Sequence, residues 1–223
     1  MNNPKLHTGS APRVSALSTN KVLRNTYALL SVTLIFSALM AAVSTMLHVG
    51  HGASLACSVG ALLLIWFVLP RTAESATGIA VVFAFTGLLG FGLGPLLNFY
   101  LNTTHGAEVI ATSMGGTAII FMGLSGYVLT TQRDFSFLGG FLFAGLIVVL
   151  LASLAGIFLN MPGLWLAINA AVILIFSGFI LFDTSRIING GVTNYIIATT
   201  SIYLSIYNIF IALLHLLGFA SNE

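Results

Sequence analysis

Charged residues are scarce in this chain of 223 residues, where Asp, Glu, Lys and Arg together make up 5%. Soluble domains carry roughly 25%. So little polar surface excludes a water-soluble fold and favours a body surrounded by lipid. The single cysteine, Cys57, excludes an intrachain disulfide and is expected to be a small buried side chain. A net charge of +2 is too small to indicate nucleic acid as a partner.

Apolar sequence is abundant, since hydrophobic residues account for 58% of the chain. A spanning helix needs about 20 consecutive apolar residues, and seven stretches qualify. The strands of a membrane β-barrel alternate apolar and polar residues over about 10 positions, whereas these stretches are continuously apolar. We therefore predict an all-α integral membrane protein with a membrane domain at 26–217. Its spans are expected at approximately 26–47, 53–70, 78–101, 107–131, 137–160, 164–188 and 195–217.

The basic residues predict the orientation. If the N-terminus is cytoplasmic, all seven lie on the cytoplasmic side of the membrane, as the positive-inside rule requires. They are Lys5, Arg13, Lys21, Arg24, Arg71, Arg133 and Arg186. The split also favours an odd number of spans, with residues 218–223 in the periplasm. Residues 1–25 are polar and lack a signal-peptide pattern, so we expect a flexible cytoplasmic tail.

Glycines are dense in the third to fifth predicted spans, which indicates that these helices pack tightly. Within the third span, Gly90 and Gly94 are small enough for close helix contact. Pro95 removes a backbone donor and is expected to kink the helix. Asn98 is expected to face inward and form a hydrogen bond between helices.

Two constellations resemble chemical sites. The pattern G-x-S-G at 123–126 is similar to that around the nucleophile of rhomboid proteases, but Ser125 and His215 are predicted more than roughly 20 Å apart in depth. The second constellation lies at the outer face, where its spacing is not that of a metal site. It comprises His48, His51, His105 and Glu108. We therefore expect no catalytic residue, no metal and no cofactor.

Asp183 is an ionisable residue at the cytoplasmic end of the sixth predicted span. Such a residue is a functional candidate by default, and its burial would make protonation a pH switch. The alternative is a local ion pair with Arg186 at i,i+3 spacing. The seventh span carries polar residues that should be surrounded by other helices. They are Thr200, Ser201, Tyr203, Ser205, Tyr207 and Asn208.

Several stretches, taken in order, resemble the Bax-inhibitor (TMBIM) family, in particular its proteobacterial branch. They lie at 21–27, 85–90, 94–98, 136–140, 182–185, 190–195 and 207–210. The resemblance implies a seven-helix bundle whose last helix is surrounded by the other six. It also implies a non-enzymatic bacterial inner-membrane modulator of the ATP-dependent protease FtsH, which inhibits the protease and is its slow substrate in membrane-protein quality control. Under this reading, the tail with Lys5, Arg13, Lys21 and Arg24 is the segment that the protease engages.

Other members of the family imply an alternative, a pH-sensitive calcium or proton leak channel. Its pore would lie around Asp183, Arg186, Ser205 and Asn208. This chain departs from that pattern, because Ser205 stands where the second aspartate aligns and the span Ala53–Pro70 contains no basic residue. A lone carboxylate lacks the like-charge coupling of a pair, which weakens the case for calcium. A structural membrane subunit is the third possibility.

Overall fold

The computed structural model describes residues 16–159 and 161–221, except for the side chains of 16–18 and 162. Lys5 and Arg13 of the expected tail therefore lie outside the described residues. Within the described residues, seven helices are long and apolar enough to cross a membrane, which confirms the predicted number of spans. They are α1 (Ala16–Met46), α2 (His51–Thr72), α3 (Ala76–Leu101), α4 (Gly106–Thr131), α5 (Ser136–Phe158), α6 (Pro162–Ile188) and α7 (Tyr195–Ala220).

The predicted start of the first helix is wrong. α1 begins at Ala16 rather than at 26, and its side chains Val22 and Leu23 pack against the buried core. Lys21 and Arg24 are therefore exposed residues of a helix and not of a flexible tail. Hydropathy marks where the apolar run begins, but a helix can continue into the membrane interface when some of its side chains still find a core.

Prolines accompany irregularities in two helices. Before Pro70, residues Leu64–Val68 of α2 form a π-helical turn. In α3 the helix is interrupted at Leu93, next to Gly94 and Pro95, where a kink was expected. Proline lacks the amide donor and crowds the carbonyl four residues earlier, so the preceding turn must adjust.

α3 and α7 are the most buried helices, with 56% and 44% of their most apolar stretches inside the bundle. α7 packs against α1, α3, α4 and α6, while α2 packs on α3 and α5 on α6. Enclosure of the last helix by all six others therefore stays a prediction. The prediction of tight packing is wrong for Gly115, Gly123 and Gly126 of α4, which have open space around them. In α5, by contrast, a Cβ on Gly139 or Gly145 would lie 2.8 or 3.1 Å from a side chain of α6.

Candidate functional site

Asp183 is a buried carboxylate near the end of α6, with 7% of its surface exposed. Its Oδ2 accepts a hydrogen bond of 2.5 Å from Ser201 Oγ on α7. The two residues lie at the same depth because the short connection 189–194 separates the end of α6 from the start of α7, and each residue is about one and a half turns from it. The contact is therefore a direct link between two spanning helices.

Arg186 does not form the predicted ion pair with Asp183, so that hypothesis is wrong for the described residues. Its guanidinium carbon lies 5.2 Å from the ring centroid of Phe182. Nη2 also donates to the carbonyl of Gly191 at 3.4 Å. The long side chain reaches towards the connection after α6, as expected of a cation near a membrane interface. Asp183 is left with a neutral hydroxyl as its hydrogen-bond partner.

Ser205 and Asn208 direct their donors into their own helix. Ser205 Oγ donates to the carbonyl of Ser201 at 3.2 Å, and Asn208 Nδ2 donates to that of Leu204 at 2.8 Å. The residue that bonds Asp183 is thus Ser201, not Ser205, where the second aspartate of the family was aligned. Sequence reasoning included Ser201 among the polar residues of the last span but missed this role.

Further hydroxyls are buried at the same end of the bundle. Tyr27 Oη of α1 is hydrogen-bonded to Ser125 Oγ of α4, which lies 3.4 Å from Thr184 Oγ1 of α6. Thr199 of α7 donates to the carbonyl of Thr26 at 3.2 Å. We call this set the polar cluster, and it joins four helices. Its members are Thr26, Tyr27, Ser125, Asp183, Thr184, Thr199 and Ser201.

The structure does not bring Ser125 and His215 together. Ser125 belongs to the polar cluster, whereas His215 lies 14 residues beyond Ser201 on α7, or about 21 Å at 1.5 Å per residue. His215 instead faces the ring of Tyr100, with 6.5 Å between centroids. A nucleophile and its base must be within hydrogen-bond reach, so this pair cannot form a catalytic dyad.

The loop between α4 and α5 is attached beside Asp183 by Ser185. Ser185 Oγ accepts from the backbone N–H of Phe135 at 2.8 Å and donates to Asp134 Oδ1 at 3.3 Å. Hydrogen bonds from the side chain and backbone of Ser136, and then from Ser185, lower the pKa of Asp134 below its ordinary value. The D-x-S sequence, typical of a turn closed by an Asp side chain, was the missed signal.

The α1–α3 interface is built on two of the predicted packing glycines. A Cβ on Gly90 would lie 2.6 Å from Ser37 Oγ and still closer to the carbonyl of Ser37, while one on Gly94 would overlap the side chain of Ser44. By contrast, Gly115 of α4 has open space around it. Glycine at 90 and 94 therefore allows the backbones of α1 and α3 to approach closely.

Polar contacts strengthen this interface. Asn98 Nδ2 donates to the carbonyl of Thr45 on α1 at 3.0 Å, the inter-helix bond expected for this residue. Ser37 Oγ lies 2.6 Å from Tyr203 Oη of α7. Pro95 is buried at the break in α3. α1 is thus tied to both α3 and α7.

Arg71 lies inside α2, which continues to Thr72. The second span was predicted to end at Pro70 and to contain no basic residue, and that expectation is wrong. Arg71 is exposed and its Nη1 donates to the carbonyl of Phe67 in its own helix at 3.1 Å. It therefore makes no hydrogen bond to Asp183 among the described residues.

The polar residues at the other end of the bundle are mostly exposed. His105 Nδ1 lies 3.6 Å from Glu108 Oε2, with both side chains largely in solvent. His48 and His51 are exposed as well. Within the described part of the chain, no three potential ligands come close enough to hold a metal ion.

A cleft of about 650 Å³ lies between α5, α6 and α7 towards that end. Its polar lining residues are Ser153, Asn169, Asn208 and His215. Asn169 Nδ2 donates to the carbonyl of Trp165 in its own helix, α6, at 2.8 Å. The cleft reaches Asn208, two turns along α7 from Ser201.

Seven apolar helices with a buried polar cluster define a multi-span membrane protein. The family model described as "Inhibitor of apoptosis-promoting Bax1" matches residues 19–222, and the chain belongs to this Bax-inhibitor family. This confirms the resemblance found in the sequence.

Three relatives show how far the similarity extends. The chain is 54% identical to "Modulator of FtsH protease YccA" of Escherichia coli strain K12 over 98% of this chain and 99% of the relative. It is 46% identical to an uncharacterized membrane protein of Vibrio cholerae over the full length of both chains. It is also 46% identical to an uncharacterized protein of Pseudomonas aeruginosa over 91% of this chain and 90% of that protein.

Proposed function

We propose that this chain is a non-enzymatic modulator of a membrane-anchored ATP-dependent protease of the FtsH type. The observation that carries the proposal is the similarity, over nearly the whole of both chains, to the relative named as a modulator of FtsH. The proposal includes the bacterial inner membrane, since a relative of the same identity is named an inner membrane protein. The basic residues support a cytoplasmic N-terminus and a periplasmic C-terminus.

Within this proposal, the protein acts as an inhibitor because it is a slow substrate. A protease that pulls on residues 1–15 meets α1 first. Side-chain hydrogen bonds join α1 to α3, α4 and α7 through Thr26, Tyr27, Ser37 and Thr45. Each such bond in a membrane contributes about 0.6 kcal/mol on average, and the close contacts at Gly90 add to them. Extraction must break this set before any other helix is released.

A non-enzymatic role is supported by the surroundings of Ser125. Its hydroxyl is bonded to the phenol of Tyr27 and lies near the hydroxyl of Thr184, and among the described residues no His, Lys or carboxylate bonds it to activate it as a nucleophile. The relative is itself named as a modulator of a protease and not as a protease.

Co-purification tests the proposal. Detergent-extracted, tagged protein is expected to capture an FtsH-type protease, and deletion of the protein is expected to shorten the lifetimes of that protease's membrane substrates. If the protein captures no such protease and its deletion changes no lifetime, the third possibility remains, a structural subunit.

Truncation of residues 1–15 tests the tail as the engaged segment. The shortened protein is expected to bind the protease but to turn over several-fold more slowly, because it lacks the segment on which the protease is proposed to pull. The matched control replaces the same residues with a Gly-Ser linker of equal length, which keeps the reach. Unchanged turnover after truncation would remove the tail from the proposal.

A leak channel is the second candidate, and the surroundings of Asp183 favour it. This buried carboxylate has no ion pair among the described residues, and Ser201, Ser205 and Asn208 continue from it along α7 to the cleft that contains His215. Such a row of intramembrane polar groups is typical of an ion or proton path.

Flux through proteoliposomes separates the two candidates. If Asp183 gates a leak, calcium or proton flux should depend on pH and be abolished by Asp183→Asn, which keeps the size and the hydrogen bond to Ser201. Ser153→Ala, in the lining of the cleft, is the control for a general change in polarity. Absence of flux at acid and neutral pH would eliminate the channel while leaving the protease proposal intact.

A further inference from the structure

An apolar groove of about 590 Å³ lies between α1 and α4, distinct from the cleft that contains His215. One wall is the second half of α1, from Leu34 to Met46, and the other is the part of α4 from Ile110 to Phe121. The floor is formed by α7 and by the second half of α3. Both walls are therefore spanning helices, and the groove separates them over this length.

The groove is closed at the end nearest the polar cluster. There Tyr27 of α1 stacks on Phe121 of α4, with ring centroids 6.0 Å apart, and bonds Ser125. At the other end, Met46 and Ile110 lie close to the ends of their helices. The groove is thus blind near the middle of the membrane and continues to one membrane surface.

Its length matches one leaflet. From Leu34 to Met46 the helix rises about 18 Å, and from Ile110 to Phe121 about 17 Å, at 1.5 Å per residue. Half of the hydrocarbon core of a bilayer is about 15 Å thick. An occupant that enters from the Met46 side would therefore extend through one leaflet and stop at the ring of Phe121.

A spanning helix from a partner does not fit the shape of the groove. Such a helix needs an apolar path through the whole hydrocarbon core, about 30 Å, whereas the groove ends where Phe121 stacks on Tyr27. A flexible hydrocarbon chain ends within one leaflet and needs no such path.

The lining excludes a polar ligand. Five hydroxyl groups border the groove, and each is already hydrogen-bonded within the protein, so the surface that remains is apolar. The residues are Ser37, Thr45, Thr117, Tyr203 and Tyr207. A cavity with satisfied polar groups and apolar walls does not hold water well, whereas hydrocarbon gains dispersion contacts with it.

We propose that this groove is a specific binding site for one acyl chain of a phospholipid from the leaflet on the Met46 side. The chain lies between α1 and α4 and rests on the aromatic floor of α7. A bound chain would fill the gap that α1 and α4 leave and hold them at their present separation.

A photoreactive lipid tests the site in the unmodified protein. Proteoliposomes of phosphatidylethanolamine and phosphatidylglycerol are doped with a phosphatidylglycerol that carries a diazirine near the end of one acyl chain. After illumination, mass spectrometry is expected to find labels on the floor at Tyr207 and Phe210, which only a chain inside the groove can reach. Labels confined to lipid-exposed positions such as Leu55 and Leu174 would overturn the proposal.

A groove-filling variant provides the second measurement. Ala42→Phe places a ring in the groove from an exposed position, and the phosphatidylglycerol retained in native mass spectrometry is expected to fall roughly tenfold. Ala56→Phe, on the exposed surface of α2, is the matched control and should retain the lipid. Thermal unfolding in detergent establishes that both variants fold. Equal retention of the lipid in the two variants would contradict the site. If Ala42→Phe instead loses protease capture but still retains the lipid, the groove binds a protein partner and the proposal is wrong.

Discussion

On the side that faces α3, α1 approaches so closely that a Cβ at Gly90 would collide with the backbone of Ser37; on the side that faces α4, the two helices touch at Tyr27 and are separated beyond it by a groove. Both sides of α1 are apolar, so hydropathy does not distinguish them. The difference lies in the partners. α3 presents glycines to α1, whereas Gly115 and Gly123 of α4 have open space around them.

The comparison shows that glycine content alone does not produce a tight interface in a membrane. Lipid solvates an apolar helix as well as another helix does, so helices associate only where their shapes allow close contact and hydrogen bonds. α1 meets that condition with α3 and α7 through Ser37, Ser44 and Asn98. Resistance of α1 to extraction should therefore depend on α3 and α7 more than on α4.

The largest expected effect comes from breaking the α1–α3 side. Gly90→Leu must push α1 away from α3, because its side chain meets the backbone of Ser37, and overpacking of this kind costs about 1–3 kcal/mol. Thermal unfolding in detergent should show the loss, and the half-life in cells that contain the protease should shorten. Gly115→Leu, which points into open space, is the control. A Gly90→Leu protein as stable as this control would mean that the close approach does not stabilise the bundle.

A smaller effect is expected on the α4 side. Tyr27→Phe keeps the ring stacked on Phe121 but removes the hydrogen bond to Ser125, a loss of about 0.6 kcal/mol and at most about 1.7 kcal/mol. Denaturant unfolding in mixed micelles measures it. The control is Tyr127→Phe, on an exposed position of α4. A loss of stability as large as that of Gly90→Leu would mean that the α4 side holds α1 as strongly as the α3 side does.

The smallest effect is expected at a site that touches neither side of α1. Hydrogen bonds from Ser136 and Ser185 lower the pKa of Asp134, so the folded state favours the ionised form. The resulting stability is complete above the unfolded value of about 3.9 and disappears as the pH falls through the lower folded pKa. Asp134→Asn should therefore be slightly less stable than the natural chain at neutral pH, with the difference vanishing in acid. A difference that grows in acid would contradict the assignment.

The sequence predicted the spans well, because the length of an apolar run is a local property. Six of the seven helices begin and end within three residues of their predicted bounds. The exception is α1, whose start depends on contacts of Val22 and Leu23 with the core. No run of hydropathy reports such a contact.

Less of the candidate site could be predicted. Asp183 was identified because an ionisable group in a span is rare, and the break at Gly94-Pro95 because proline acts on its own turn. The partner of Asp183 was missed, since it depends on the depth at which α7 returns beside α6. The ion pair of Arg186 with Asp183 was predicted from their spacing alone. In the structure, the guanidinium of Arg186 instead contacts an aromatic ring and a loop carbonyl.

The amino-acid sequence by itself determined that this is a seven-span membrane protein and that it belongs to the Bax-inhibitor family, because both follow from the order of residues along the chain. Only the tertiary structure decided which glycines touch a neighbour, that Ser201 bonds Asp183, and that a groove separates α1 from α4. The physical reason is rotational. A helix that is apolar on every side has no single hydrophobic face that would fix its rotation about its axis. The rotation is therefore determined by shape and by hydrogen bonding between neighbouring helices.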